Sequence, residues 1–317
     1  MEKLIITTRG SQLALWQSEH IKERLEARYP DMEVTLQVVK TKGDKILDTP
    51  LAKIGGKGLF TKELEEQMLA GNAHIAVHSL KDVPVVFPEG LVLAAITKRS
   101  DPRDAMLSEK YPSIDALPKG AIVGTTSLRR RMQLLAYKPD LEIKNLRGNV
   151  NTRIRKLKDG QYDAIILATA GMTRLGLEEE VAYFSPIDKK IMIPAMGQAA
   201  LGIEIVDEPK MHEIVNFLND KEAVIETTIE RDFVRVLEGG CQVPIGINAT
   251  LEGDMVKIDA IVGMPDASEI LKESFACKAS EYIGVGEMLA ERMIKRGARE
   301  LLQASESMVM NIIFKDD

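Results

Sequence analysis

From Lys3 to Thr8 apolar and polar positions alternate with the period of a half-buried strand, and from Ser11 the apolar positions shift to helical spacing at Leu13, Leu15, Trp16, Ile21 and Leu25. That helical run stops at Pro30, and Val34 to Val39 returns to strand spacing, so the chain opens as a βαβ unit. Ser11 is a natural helix cap, which sets Arg9 and Ser11 at the positive end of a helix following a strand, a ready site for an anion. Residues 42–60 have little periodicity. They fail the phosphate-cradling pattern, since Leu51 stands where its first glycine must be and Gly58 where its Ser or Thr must be, and they read as a glycine-rich lid or as a plain surface loop. Thr61 is expected to cap a helix to Leu69 that stops at Gly71, and strands follow at Ala73–Ser79 and Leu91–Ile96. The polar, turn-rich stretch Thr97–Arg103 then reads as a crossing into a second lobe.

The second lobe repeats the opening pattern. A strand at Ala121–Gly124 leads through Thr125-Thr126-Ser127 to a helix over Leu128–Tyr137 with Arg129 and Arg130 in its first turn. Arginines there oppose the helix dipole, which suggests that they and the free N–H groups hold an anion together. A strand at Glu142–Leu146, a helix carrying Arg153, a strand at Asp163–Ala168 and a turn or helix with Arg174 complete the lobe. Ile191–Gln198 reads as the return crossing, with a strand at Ala199–Val206 and a helix at Pro209–Leu218. Beyond Asp220 come a helix through Leu237, strands near Ile245–Leu251, Val256–Val262 and Glu269–Cys277, and a helix from about Tyr282 to Leu302. The expected fold is α/β: two similar βα lobes, built like two-lobed solute-binding proteins, joined by two crossings, plus a smaller α+β C-terminal domain. The bounds are 1–98 with 198–217 for lobe 1, 99–197 for lobe 2 and 218–317 for the third domain.

Composition narrows the function. A net charge of −6 over 317 residues opposes general nucleic-acid binding, and the absence of a long apolar run opposes membrane spanning. The start is too quickly polar for a signal peptide, so a soluble, cytoplasmic protein with reduced thiols is expected. Basic residues nevertheless crowd the stretch from Ser127 to Arg155, as if to grip a small polyanion; solvated helix faces account for Arg131, Lys138, Lys156 and Lys158. His74 and His78 are four apart, but on a strand this is a same-face coincidence and no metal site is expected. Asp82 follows the end of a strand, where open α/β sheets bind ligands. Of the two cysteines, Cys277 reads as a core residue. Cys241 stands on the stiff turn Gly239-Gly240-Cys241-Gln242-Val243-Pro244, which suits either an inert core thiol or a fixed attachment point.

Thr8-Arg9-Gly10-Ser11-Gln12-Leu13-Ala14-Leu15, His78-Ser79-Leu80-Lys81-Asp82-Val83-Pro84, Gly124-Thr125-Thr126-Ser127-Leu128-Arg129-Arg130, Leu146-Arg147-Gly148-Asn149 and the Cys241 turn occur in this order along the chain. The set resembles the porphobilinogen deaminase, or hydroxymethylbilane synthase, family over nearly the whole length. Departures are small, Thr126 where the family usually has Ser and Ala199 where it usually has Gly. The resemblance implies a transferase of haem and porphyrin biosynthesis that condenses four porphobilinogen molecules head to tail, with loss of ammonia, into hydroxymethylbilane. It implies a dipyrromethane cofactor joined to Cys241 by a thioether, Asp82 as the acid–base group, no metal, and a cytoplasmic monomer. It further implies that Arg9, Ser11, Ser127, Arg129, Arg130, Arg147, Arg153 and Arg174 hold cofactor and substrate carboxylates. Ser79, Thr125, Gly148 and Asn149 are implied binding positions beside them, and Asp44, Lys53, Lys57 and Lys81 would contact the cofactor or close over it.

Two other readings stand beside this one. The lobes and crossings also suit a small-anion binding protein without chemistry, although such a binder has no use for a glycine-flanked thiol. Nucleic-acid binding through the arginine cluster lacks interleaved aromatics.

Overall fold

The structure, a computed structural model, describes residues 3–41, 61–237 and 243–315. Lobe 1 is a five-stranded sheet in the order β2-β1-β3-β10-β4, formed by β1 (Lys3–Arg9), β2 (Glu33–Val39), β3 (Ile75–Ser79), β4 (Leu91–Ile96) and β10 (Leu201–Val206). β1 runs parallel to β2 and β3, whereas β10 is antiparallel to β3 and β4. Strand alternation decides which face each side chain covers: Leu4 and Ile6 pack with Ile21 and Leu25 of α1 (Gln12–Arg28), while Ile5 turns to Leu64 and Met68 of α2 (Lys62–Leu69).

Lobe 2 repeats this design with a second five-stranded sheet, β7-β6-β8-β5-β9, from β5 (Asp104–Ser108), β6 (Ile122–Gly124), β7 (Glu142–Lys144), β8 (Ala164–Ala168) and β9 (Tyr183–Pro186). β6 is parallel to β7 and β8, and β5 is antiparallel to β8 and β9. In each lobe, therefore, a strand delivered by a crossing enters antiparallel beside the parallel strands: β5 after residues 97–103, β10 after 191–200. The sequence pattern carries β10 but not β5 or β9. β5 is buried along its whole length, so it is a short unbroken run, Ala105-Met106-Leu107, with no alternation to mark it.

Helices α3 (Leu128–Tyr137), α4 (Val150–Lys158), α5 (Thr169–Leu175) and α6 (Pro209–Val215) flank the two sheets. The third unit packs α7 (Lys221–Val236) and α8 (Val285–Ile294) on a three-stranded antiparallel sheet, β11 (Ile245–Glu252), β12 (Met255–Gly263) and β13 (Ile270–Lys278), around Phe233, Ile247, Val262, Leu289 and Met293. Cys277 is a free, buried thiol in that core. Two details differ from the sequence pattern. The last helix is two, α8 and α9 (Ala298–Lys315), because Gly297 takes φ +95 between them. Thr61 stands at the N-cap of α2 but makes no side-chain capping bond. Among the described residues no helix is long and apolar enough to cross a membrane.

Candidate active site

β3 ends at Ser79, and a single 3₁₀ turn, Leu80–Asp82, follows. Ser79 is fixed by Gln17 of α1, whose amide donates to its hydroxyl at 2.8 Å. The turn buries Leu80 completely and leaves Asp82 exposed, its carboxylate without a hydrogen bond or ion pair among the described residues. Lys81 faces inward and is half-buried. Burial lowers its pKa to about 8; Asp82 and Asp104 favour its charge and Arg130 and Arg129 oppose it.

Across from this turn lies the N-terminus of α3. Ser127 caps it, accepting from the Arg130 N–H, and Thr125 behind it accepts from the Ser127 N–H. Here the structure answers one expectation in an unforeseen way. Arg129 and Arg130, 4 % and 7 % exposed, do bind an anion, and that anion is internal. Asp104 at the start of β5 accepts from Arg129 at 2.6 Å through one oxygen and from Arg130 at 2.7 and 3.0 Å through the other. Burial alone would raise the Asp104 pKa, but the two guanidinium groups outweigh it and hold the carboxyl well below the usual range. Arg129 also donates to the Ile193 carbonyl and Arg130 to that of Ile166.

Helix α4 brings the next cations. Asn149 caps it, accepting from Thr152, and Gly148 before it has φ +112, where an added Cβ would sit 2.6 Å from Thr152. Arg147 precedes that tight turn and Arg153 stands in the first turn of the helix after it. Arg153 donates to the Gly148 carbonyl and has no carboxylate partner among the described residues; burial, then Arg130, lowers its pKa to about 10, while Asp82 opposes the shift. Arg147 is half-buried, and its guanidinium makes no hydrogen bond or ion pair among the described residues. Arg174 of α5 donates to the Ala199 carbonyl at 2.7 Å and lies over the Trp16 ring, and burial lowers its pKa to about 10. Ser11 caps α1 by accepting from Ala14, with Arg9 before it, and Gln12 meets Asn151 of α4.

Of the described part of the sequence-predicted set, Arg9 ends β1 and Ser11 caps α1, Ser79, Lys81 and Asp82 stand at and just after the end of β3, Thr125, Ser127, Arg129 and Arg130 lead into α3, Arg147, Gly148, Asn149 and Arg153 lie around the start of α4, and Arg174 is in the last turn of α5. The charges of Lys81, Asp82, Arg129, Arg130 and Arg153 act on one another. Asp44, Lys53, Lys57 and Cys241 lie outside the described residues. His74 and His78 are occupied within lobe 1, the first accepting from the Ile5 N–H and the second 2.7 Å from Glu204.

Sequence reasoning missed Asp104, Gln198 and Gln17. Asp104 hides in Asp101-Pro102-Arg103-Asp104, which reads as a turn, and only the apolar run after it hints at a strand. Gln198 hides in a linker.

Half-buried cations with no carboxylate partner among the described residues, Arg153 and Arg174, are costly unless an anion completes them. The donor set therefore fits a ligand carrying several carboxylates. Comparison with known proteins decides which kind. "Porphobilinogen deaminase, dipyromethane cofactor binding domain" matches residues 4–213, and "Porphobilinogen deaminase, C-terminal domain" matches residues 224–295. The chain belongs to the porphobilinogen deaminase family. A porphobilinogen deaminase of Campylobacter concisus is 64 % identical over 308 residues, covering 97 % of this chain and 100 % of that one. The enzyme of Aliarcobacter butzleri is 62 % identical over 307 residues, 96 % of this chain and 98 % of that one. That of Sulfurimonas denitrificans is 58 % identical over 312 residues, 98 % and 100 % of the two chains. Among solved structures, the methionine-binding protein MetQ is a distant likeness, with a TM-score of 0.41 and 14 % identity over 68 % of this chain and 95 % of that one.

Proposed function

We propose that Asp82 is the acid–base group of a hydroxymethylbilane synthase whose primer is tethered at Cys241. The family carries a dipyrromethane cofactor-binding domain and the activity is transferase chemistry of tetrapyrrole biosynthesis. Four porphobilinogen molecules are condensed head to tail into hydroxymethylbilane. In each round a carbon–nitrogen bond breaks and ammonia leaves, a carbon–carbon bond forms to a pyrrole α carbon, and that carbon loses its proton.

The observation that carries the residue assignment is the exposed carboxylate of Asp82, electrostatically coupled to Lys81, Arg130 and Arg153. As ammonia departs, positive charge spreads over the incoming ring, and Asp82 stabilises it through the ring N–H. The same carboxylate then takes up the α proton after coupling. Arg147, Arg153 and Arg174 hold acetate and propionate groups, the planar guanidinium matching a carboxylate with two parallel bonds. Arg129 and Arg130 contribute the charge that Asp104 leaves over, and Arg9, Ser11, Ser79, Thr125, Ser127, Gly148 and Asn149 line the remaining strand and helix ends. Lys81 supplies an ammonium beside the carboxylate, and Asp44, Lys53 and Lys57 add to cofactor binding.

When bound, the dipyrromethane supplies the nucleophilic pyrrole carbon on which the chain grows. A thioether to Cys241 is supported by the position of β11, the strand after its turn: the Ile247 N–H donates to the Pro194 carbonyl, one residue beyond the Ile193 carbonyl that takes Arg129. We place the lobe bounds at 1–98 with 198–217, 99–197 and 218–317, and the enzyme in the cytoplasm as a monomer. Incubation of the purified chain with porphobilinogen tests the reading. It predicts release of ammonia and a linear tetrapyrrole that cyclises to a uroporphyrin; binding without ammonia release would make the protein a carrier of small anions instead.

A further inference from the structure

We propose that Gln198, in the return crossing, is a positioning residue that ties Lys81 of lobe 1 to Asp104 of lobe 2 and so sets the ammonium beside Asp82. Its side chain is 1 % exposed and its two ends are not interchangeable. The amide nitrogen donates to the Pro102 carbonyl at 2.7 Å and to Asp104 at 3.1 Å, both acceptors, so the oxygen must face the other way. There it accepts from the Lys81 ammonium at 3.3 Å. The backbone is held as firmly, with the Gln198 carbonyl taking Arg99 at 2.9 Å and its N–H donating to the Ala195 carbonyl at 3.1 Å. Gly197 before it and Ala199 after it both have positive φ, +66 and +77. A left-handed alanine is uncommon and costs energy, so this crossing is shaped to aim the residue between them.

The electrostatics give the aim a purpose. Lys81 is faced by Arg129 and Arg130 from α3 and by Asp104 from β5, with Asp82 on its own turn. A neutral amide that accepts from Lys81 while donating to Asp104 favours the charged lysine without adding a carboxylate to compete with Asp82. This role rests on the proposed function of Asp82 and Lys81, but its test needs no substrate.

Side-chain NMR of the full-length protein, with the lysine and glutamine nitrogens labelled, follows Lys81 and Gln198 as pH rises. The Gln198 amide should move with the Lys81 midpoint of about 8. In Gln198→Met, close in volume but without the polar ends, the midpoint falls below the wild-type value. Turnover then declines at correspondingly lower pH, and a merely structural glutamine would instead lower turnover equally at every pH. A wild-type Gln198 resonance that stays still while Lys81 titrates would overturn the proposal even if the variant fails to fold, as would an unmoved midpoint in a folded variant. Failure to form any tetrapyrrole would sink the enzymatic reading and leave this titration intact.

Discussion

Asp82 leaves the end of β3 on one turn of 3₁₀ helix, its carboxylate outward and Leu80 buried beneath it. The asparagine variant keeps the shape and loses the charge, so Asp82→Asn should fold with wild-type melting temperature and lose roughly a thousandfold in kcat. Near-normal turnover would remove Asp82 from the proposed chemistry. Lys81 has a different cost. Its ordinary value is 10.5 and the folded value about 8, so between those limits the unfolded chain binds more protons and stability from this group rises with pH. Below pH 8 the folded protein carries the half-buried charge. Lys81→Met should therefore raise the melting temperature at pH 7 while lowering activity; a lower melting temperature would contradict that sign. Ala199 is a smaller matter of backbone. At φ +77 glycine is relieved of the Cβ clash, and Ala199→Gly should add up to about 1 kcal/mol in a denaturant titration. Asp82 and Ala199 were both legible as motif positions, but the left-handed backbone was not, because alanine gives no local sign of it.

At the level of elements, arginines that look alike in the chain divide into two kinds. Arg130 directs its donors to Asp104 and the Ile166 carbonyl inside lobe 2, whereas Arg147 lies half-buried without a partner among the described residues. Lysine cannot reproduce the forked bonds, so Arg130→Lys should cost about 2 kcal/mol of stability. Arg147→Lys should leave stability unchanged and raise KM several-fold, because charge remains and bidentate geometry goes. Equal effects of the two variants on melting temperature would contradict the division. Caps and periodicity made α1, α3 and the parallel strands readable, since Ser11 and Ser127 announce their helices locally. Asp104 was not readable as the partner of α3, because only strand pairing of β5 with β8 carries it there.

Taken whole, the molecule is two lobes that exchange a strand's worth of chain at each crossing, with a third unit fastened to the same place. Glu230 of α7 is the fastening. Its buried carboxylate accepts from Arg99 on the first crossing at 2.7 and 3.1 Å, from the Gly197 N–H on the second at 2.7 Å and from the Ala249 N–H of β11 at 2.8 Å. A charge so enclosed holds only while all its partners remain, so both crossings and β11 are kept in one arrangement around it. The two crossings were visible as breaks in the hydrophobic pattern, but the joint was not, since its members lie 19 to 131 residues from Glu230.

The central claim is a covalent primer on Cys241 serving one carboxylate. Intact-mass spectrometry tests it most directly, on wild-type protein and Cys241→Ser purified alike. The wild-type chain should exceed its sequence mass by two porphobilinogen-derived pyrrole units, with further increments of one unit each after brief exposure to substrate, and the serine variant should show neither. A wild-type chain at its bare sequence mass, or an adduct that survives in Cys241→Ser, would contradict the account.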